Sequence, residues 1–214
     1  MPRNRPRVAH RFIVVAGQCS KVGKTALVVD VIRAFPRMNW TAVKITPYAR
    51  SGCPINGSGC PCGPLDYGFA IREERDASGT SDSSRFLAAG AVRSFWVETK
   101  CNGLPVALAS LKAVLKGSGS LIVESNAVVE FWRPDILLLV IDPQIPDLKP
   151  SARRLIPFID VFVLRSPLSH QHPSGFPAPA WANARKLLQR IGDPLPAILR
   201  QLVGQPLRRF SHPN

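Results

Sequence analysis

The stretch that most constrains the fold is GQCSKVGKT, which runs from Gly17 to Thr25. It follows the short apolar run FIVVA and precedes ALVVDVI, and Pro36 lies shortly beyond. Short β-branched runs are typical of strands buried on both faces of a parallel sheet, and residues 24–35 are compatible with a helix that the proline stops. The order strand, glycine-rich loop and helix predicts that several backbone N–H groups point at one anion, at the positive end of the helix dipole.

Each position in such a loop has an expected role. Lys24 is expected to reach the β- and γ-phosphates of a nucleotide, and the Thr25 hydroxyl is expected to bind Mg²⁺. Five residues separate Gly17 from Gly23, whereas the usual G-x4-G-K-[ST] pattern has four. The predicted phosphate-binding residues are Gly17, Ser20, Lys21, Val22, Gly23, Lys24, Thr25 and Ala26.

Short apolar segments and helix-compatible segments alternate along the rest of the chain. Strands are predicted at 12–16, 41–46, 94–97, 121–124, 136–141 and 161–164, and helices at 24–35, 83–91, 104–115 and near 151–158. We expect Pro47 to end the second strand, an acidic polar segment to follow around 73–76, and Asp82 or Ser81 to cap the next helix. The alternation predicts an α/β protein whose mainly parallel sheet has helices on both faces, a three-layer sandwich.

The loop resembles that of dethiobiotin synthetases and cobyrinic acid amide synthases. These P-loop NTPases also place five residues between the two glycines, and often a hydroxyl residue where Ser20 stands. The chain is also similar to the molybdopterin-guanine dinucleotide biosynthesis protein B family, through the strand Ala42–Ile45 and through Glu124 at the end of an apolar strand. That family commonly has a histidine soon after the strand lysine, whereas Thr46 and Pro47 follow here. The resemblance implies a P-loop NTPase fold over roughly residues 11–165.

A metal-bound phosphate also needs a carboxylate at a strand end. Glu124 in LIVESN and Asp142 in LLLVIDP both qualify, and the resemblance favours Glu124 as ligand of Mg²⁺ or as the group that orients the attacking water. Lys24 and Glu124 are therefore the predicted catalytic residues, and Lys44 a further cofactor-binding residue. Asp82 and Arg85 are candidates for metal or substrate binding, with Asp82 equally suited to cap a helix.

The cysteines suggest a second site. Cys53, Cys60 and Cys62 lie in SGCPINGSGCPCG, a Pro- and Gly-rich stretch that can bring three thiolates together to bind Zn²⁺ or a ligated Fe–S cluster. The alternative is free thiols in an irregular loop. In a metal site, the fourth ligand would be Cys19, Cys101, a histidine or an exogenous group.

Charge and composition bear on partners and location. Lys and Arg number 28 against 14 Asp and Glu, which gives a net charge of +14, much of it near the two ends of the chain. Few aromatic residues are interspersed in these basic segments, which argues against nucleic acid as the partner. With too short an apolar run for a signal peptide and none of membrane-spanning length, we expect a cytoplasmic protein without a membrane partner.

Three divisions of the chain are expected. Residues 1–10 form a basic arm, residues 11–165 form the nucleotide-binding domain with a Cys-rich insertion at about 47–68, and residues 166–214 form a Pro-rich basic appendage. The sequence leaves homodimerisation open.

These observations support three functional hypotheses. The first is Mg²⁺-dependent binding and slow hydrolysis of GTP or ATP, as an accessory in molybdenum cofactor biosynthesis or a related pathway, with a cofactor-biosynthesis protein as partner. The second is an ATP-dependent carboxylate ligase of the dethiobiotin synthetase type, in which Lys21 and Lys44 help to bind the carboxylate. The third is a metal- or nucleic-acid-binding module with a structural loop. No Asn-Lys-x-Asp motif follows Val163–Leu164, so ATP and GTP both remain open.

Overall fold

The computed structural model describes residues 10–48, 68–100, 103–167, 176, 181 and 185–204. In chain order its elements are β1 Phe12–Gly17, α1 Lys24–Ala34, β2 Thr41–Tyr48, β3 Phe69–Glu74, α2 Asp82–Ala88, β4 Arg93–Lys100, α3 Leu104–Val114, β5 Leu121–Glu124, β6 Ile136–Ile141, α4 Pro150–Leu155, β7 Val161–Leu164, β8 Lys186–Leu188 and α5 Ala197–Gly204.

The strands of the described residues form one sheet of eight, in the order β3, β4, β2, β5, β1, β6, β7, β8. Every neighbouring pair is parallel except β3 and β4, which are antiparallel. Successive residues of a strand face opposite sides of a sheet, so Ile13 and Val15 belong to one buried cluster and Val14 and Ala16 to the other. Helices α1, α2 and α5 contribute to the first cluster, and α3 and α4 to the second. The predicted three-layer α/β fold, a mainly parallel sheet with helices on both faces, is confirmed.

The second strand is longer than predicted. Pro47 does not end β2, which pairs with β4 as far as Tyr48. On its other side β2 pairs with β5 only as far as Lys44. Beyond that point β2 has no neighbour on one side within the described residues, and a strand position without a neighbour tolerates a residue that lacks an N–H.

Two strands were not predicted. The acidic segment around 73–76 is in part the antiparallel edge strand β3, whose polar residues form ion pairs with β4, Arg72 with Glu98 and Glu73 with Arg93. After residue 166, β8 joins the far edge of the sheet. The division into a domain and an appendage stays a prediction.

Helix boundaries follow local capping. The N-cap of α2 is Ser81, whose hydroxyl accepts from the Ser84 N–H while the Ser84 hydroxyl accepts from the Ser81 N–H. Asp82 lies in the first turn instead. The predicted helix near 151–158 is α4 followed by a 3₁₀ turn, Ile156–Phe158. Among the described residues, no helix combines the length and the hydropathy needed to cross a bilayer.

Candidate functional site

The glycine-rich loop lies at the carboxyl end of β1, whose two neighbours in the sheet are β5 and β6. Gly23 is the N-cap of α1, with φ 98° and ψ 21°, and Lys21 also has a positive φ of 60°. No side chain of the described residues caps α1, and its first turn contains no acidic residue. The N–H groups of this turn are therefore left for an external anion, which the helix dipole also favours.

Two glycines make room for long side chains. A Cβ atom at Gly17 would lie 2.7 Å from Cγ and Cδ of Lys24 and 2.8 Å from Cγ1 of Val22. A Cβ atom at Gly23 would lie 2.8 Å from Nε of Arg165, and its positive φ disfavours other residues as well. In this conformation of the loop, a side chain at either glycine would displace these neighbouring side chains.

Lys24 folds back along the loop. Its Nζ donates a hydrogen bond of 3.0 Å to the Cys19 carbonyl. Burial lowers the pKa of Lys24, and the nearby Glu124 carboxylate opposes that effect. The ammonium group thus lies inside the loop. Burial disfavours its charged form, and a bound anion would stabilise that form.

A polar cluster lies beside the start of α1. The Thr25 hydroxyl donates to Glu124 Oε2 at 2.8 Å, and Lys44 Nζ donates to Glu124 Oε1. Lys44 Nζ also lies 2.8 Å from Asp82 Oδ2, and the Arg85 guanidinium is 3.9 Å from Oδ1 of the same carboxylate. The sheet register explains this meeting, because Lys44 on β2 is directly opposite Glu124 on β5 and Glu124 is opposite Val15 on β1.

The charges in this cluster support one another. Burial would lower the pKa of Lys44, but the Glu124 and Asp82 carboxylates outweigh it and raise that pKa above its usual value. Burial would likewise raise the pKa of Asp82, but Lys44, together with Thr25 and Arg85, holds it below its usual value. Lys44 is therefore a cation and Asp82 an anion at neutral pH.

The oxygen atoms of this cluster suit a hard divalent cation. Thr25, Glu124 and Asp82 offer one hydroxyl and two carboxylates, the donor types that Mg²⁺ prefers beside phosphate oxygens and water. Lys44 contacts the same two carboxylates. A divalent cation and the Lys44 ammonium would therefore compete for these oxygens.

Asp142, the other carboxylate considered, faces a different partner set. Its Oδ1 accepts from the Ser166 hydroxyl at 2.7 Å and from the Gln144 N–H at 3.1 Å. It is absent from the described lining of the cleft around Lys24 and Thr25. Asp142 thus fixes the turn after β6, and Glu124 is the carboxylate placed beside Thr25.

Loop, lysines and carboxylates surround one cleft of about 440 Å³. Its lining among the described residues is Ser20, Lys21, Gly23, Lys24, Thr25, Ala26, Lys44, Asp82, Arg85, Glu124 and Ile191. Two predicted binding residues are not in this lining. Gly17 lies beneath the stem of Lys24, and the Val22 side chain is buried in the core at 4% exposure.

The structure adds residues that the sequence analysis missed. Gln18, which is fully buried, clamps the segment after β6: its side chain donates to the Ile145 carbonyl at 2.6 Å and accepts from the Asp142 N–H at 3.0 Å. The Asn126 amide both accepts from the Gly17 N–H and donates to its carbonyl, each at 2.9 Å. Lys149 Nζ donates to the Ser20 hydroxyl at 2.8 Å. These contacts join residues more than 100 positions apart, so no local sequence pattern signals them.

The predicted cysteine site lies outside the described residues, since Cys53, Cys60, Cys62 and Cys101 all fall in the gaps. Cys19 is described and is buried in the loop, at 7% exposure. Within the described ranges, no three His, Cys, Asp or Glu side chains cluster as metal ligands. Binding of Zn²⁺ or an Fe–S cluster stays a prediction.

No family model matches the chain, and no curated protein matches it. Among solved structures, it is similar to LpxK from Aquifex aeolicus, determined in complex with ATP, with 14% sequence identity and a TM-score of 0.46. The match covers 84% of this chain and 53% of that one, so this chain spans about half the length of LpxK.

Proposed function

We propose that this chain binds a nucleoside triphosphate with Mg²⁺ in the cleft between β1, β5 and α1, and slowly hydrolyses it. One observation carries the proposal: a single cleft contains the uncapped start of α1, the Lys24 ammonium, and the Thr25 hydroxyl bonded to the Glu124 carboxylate. Phosphoryl transfer depends almost entirely on positioning and electrostatic stabilisation, and these groups supply both.

In this function each residue has a definite task. The N–H groups at the start of α1 and Lys24 bind phosphate oxygens and stabilise the charge that spreads over them during transfer. Thr25 and Glu124, with Asp82 beside them, would hold Mg²⁺, which neutralises phosphate charge. The Glu124 carboxylate also orients the attacking water and accepts its hydrogen bond.

Binding is tested by titrating the protein with fluorescent ATP and GTP analogues, with and without Mg²⁺. We expect Lys24→Ala to weaken Mg²⁺-dependent binding by about 10- to 100-fold, because a charge-assisted contact to phosphate is lost. The matched control is Lys112→Ala, since Lys112 is an exposed lysine on α3. Equal affinity of the Lys24→Ala variant and the native chain would overturn the proposal.

Hydrolysis is tested separately with Glu124→Gln. This substitution keeps the shape of the side chain but removes its charge, so we expect the rate of phosphate release to fall by about 100-fold or more. Glu130→Gln is the control, because Glu130 is a half-exposed carboxylate paired with Arg154 on the surface. An unchanged rate in the Glu124→Gln variant would remove Glu124 from the mechanism.

The finer assignment is an accessory role in the biosynthesis of molybdopterin guanine dinucleotide or a related cofactor. It rests on the resemblance of the loop, of Ala42–Ile45 and of Glu124 to the molybdopterin-guanine dinucleotide biosynthesis protein B family. A nucleotide-dependent complex with a cofactor-biosynthesis protein in a pull-down would support it. Equal recovery with the Lys24→Ala variant would argue against it.

A carboxylate ligase of the dethiobiotin synthetase type is the second candidate. The observation in its favour is that Lys21 and Lys44 line the same cleft as Lys24, so a carboxylate substrate could be held beside the phosphates. Stimulation of ADP release by a small dicarboxylate or amino acid would distinguish a ligase from a simple hydrolase. The third candidate, a nucleic-acid-binding module, requires salt-sensitive binding that nucleotide does not affect.

A further inference from the structure

The described lining of the cleft includes one large apolar side chain. This is Ile191, which follows β8 and is 67% exposed. Apart from the small Ala26, every other lining residue among those described is polar, charged or glycine. An isolated exposed isoleucine is ordinary on a protein surface, but this one faces a cleft that we propose to hold a nucleotide.

The segment carrying Ile191 is held in a fixed turn. The Gln189 side chain, only 1% exposed, donates to the carbonyl groups of Arg190 at 3.1 Å and of Asp193 at 2.8 Å. The Asp193 N–H in turn donates to the Arg190 carbonyl, and Gly192 adopts a positive φ of 89°. Ile191 therefore lies at the tip of a turn, and the hydrogen bonds of Gln189 and Asp193 determine the shape of that turn.

One side chain ties this turn to the phosphate loop. Arg165, just after β7, donates from Nη1 to the Gln189 carbonyl at 2.9 Å and from Nη2 to the Gly23 carbonyl at 2.5 Å. The same guanidinium thus contacts Gly23, at the N-cap position of α1, and Gln189, which leads into the turn. Two hydrogen bonds of Arg165 therefore link the turn that carries Ile191 to the start of α1.

The strand order sets the direction in which a nucleotide would lie. Glu124 and Lys44 belong to β5 and β2 on one side of β1, whereas Ile191 follows β8 on the other side. With the terminal phosphate beside Thr25 and Glu124, the remainder of the nucleotide extends across the start of α1 toward Ile191. The group at that end of a nucleoside triphosphate is the base, which is flat and has apolar faces.

We propose that Ile191 packs against a face of the nucleobase and that this contact accepts adenine and guanine alike. The inference rests on the proposed function and deepens it. The carboxylates in the described lining, Asp82 and Glu124, are paired with Lys44, and Gln189, whose side-chain N–H groups bond to carbonyl groups of its own turn, is not in that lining. An apolar contact discriminates poorly between ligands of similar shape, whereas hydrogen bonds to the edge of a base would discriminate strongly.

The test compares three ligands, each with Mg²⁺: ATP, GTP and inorganic triphosphate, which has no base. For the native chain we expect the affinities for ATP and GTP to agree within about fivefold. Ile191→Ala is expected to weaken both nucleotides by about five- to tenfold and to leave triphosphate unchanged. The control is Ile198→Ala, because Ile198 is 47% exposed on α5 and lies outside the cleft lining.

The outcomes separate the inference from the function on which it rests. Unchanged nucleotide affinity in the Ile191→Ala variant, with Lys24-dependent binding of triphosphate intact, would overturn the base subsite alone. An equal loss for triphosphate would show that Ile191 acts through the loop, and this also overturns the subsite. A preference of about 100-fold for one base would overturn the claim of equal acceptance. If triphosphate binding did not depend on Lys24, both the subsite and the proposed function would fall.

Discussion

At the end of β1, the space that a side chain would occupy at Gly17 is filled by the stem of Lys24. We expect Gly17→Ala to weaken nucleotide binding by about tenfold or more, because the added methyl group displaces the Lys24 ammonium from the loop. Nucleotide titration of the folded variant measures this. Gly204→Ala is the control, since a Cβ atom there would make ordinary contact at 3.5 Å with Phe35. Native affinity in the Gly17→Ala variant would show that the lysine can take another path.

Asp30, on α1 below the phosphate loop, gives a prediction about pH. Burial raises the pKa of Asp30 above its usual value of 3.8, although Arg165 and a hydrogen bond from Gln189 oppose the shift. A raised pKa means that the folded chain holds this proton more tightly than the unfolded chain does. The contribution of Asp30 to the free energy of unfolding is therefore greatest below 3.8 and falls as pH rises through the raised pKa.

Urea unfolding at a series of pH values checks this against Asp30→Asn, which cannot titrate. The free energy of unfolding of the native chain, minus that of the variant, should decrease as pH rises above 3.8 and then level off. A constant difference, or one that increases with pH, would contradict the raised pKa.

At the scale of elements, Arg165 connects β7, the turn after β8 and the start of α1. We expect Arg165→Met to weaken binding of inorganic triphosphate by about tenfold, because the Gly23 carbonyl loses one of its two donors. Binding of ATP and GTP should weaken somewhat more, because the turn that carries Ile191 loses its link to Gly23. Ligand titration tests this, with Arg200→Met on α5 as the control for loss of an exposed arginine. If only the nucleotides were weakened, Arg165 would act on the base end and not on the loop.

Which elements the sequence could predict depended on their burial. Strands such as β5, β6 and β7 are covered on both faces, so their residues form continuous apolar runs and their bounds match the prediction. The edge strand β3 and the three-residue β8 do not form apolar runs. Ion pairs and neighbouring strands stabilise them, and these contacts leave no such run in the sequence. Lys24 and Thr25 carry a local motif. Gln18 binds the segment after β6, and Asn126 and Arg165 contact the loop, only because the fold brings distant parts of the chain together.

At the scale of the whole molecule, α5, the last helix of the described residues, packs into the main core. Leu199 and Val203 are fully buried in the same cluster as α1, and the Arg11 side chain donates to the Val203 carbonyl at 3.2 Å. We expect Leu199→Ala to lower the free energy of unfolding by about 2–5 kcal/mol, in a single transition. Ile198→Ala, on the exposed side of the same helix, should change it by less than about 1 kcal/mol. A small effect at Leu199, or a separate early transition, would show that α5 is an independent appendage.

The burial of Cys19 inside the loop has a consequence for chemical reactivity. Burial raises the pKa of this thiol, and its Sγ contacts the Ser20 carbonyl. Because the thiolate is the reactive species, alkylating agents and mild oxidants should modify Cys19 slowly in the folded chain. Cysteine-directed probes should therefore leave the phosphate loop of the native protein unmodified.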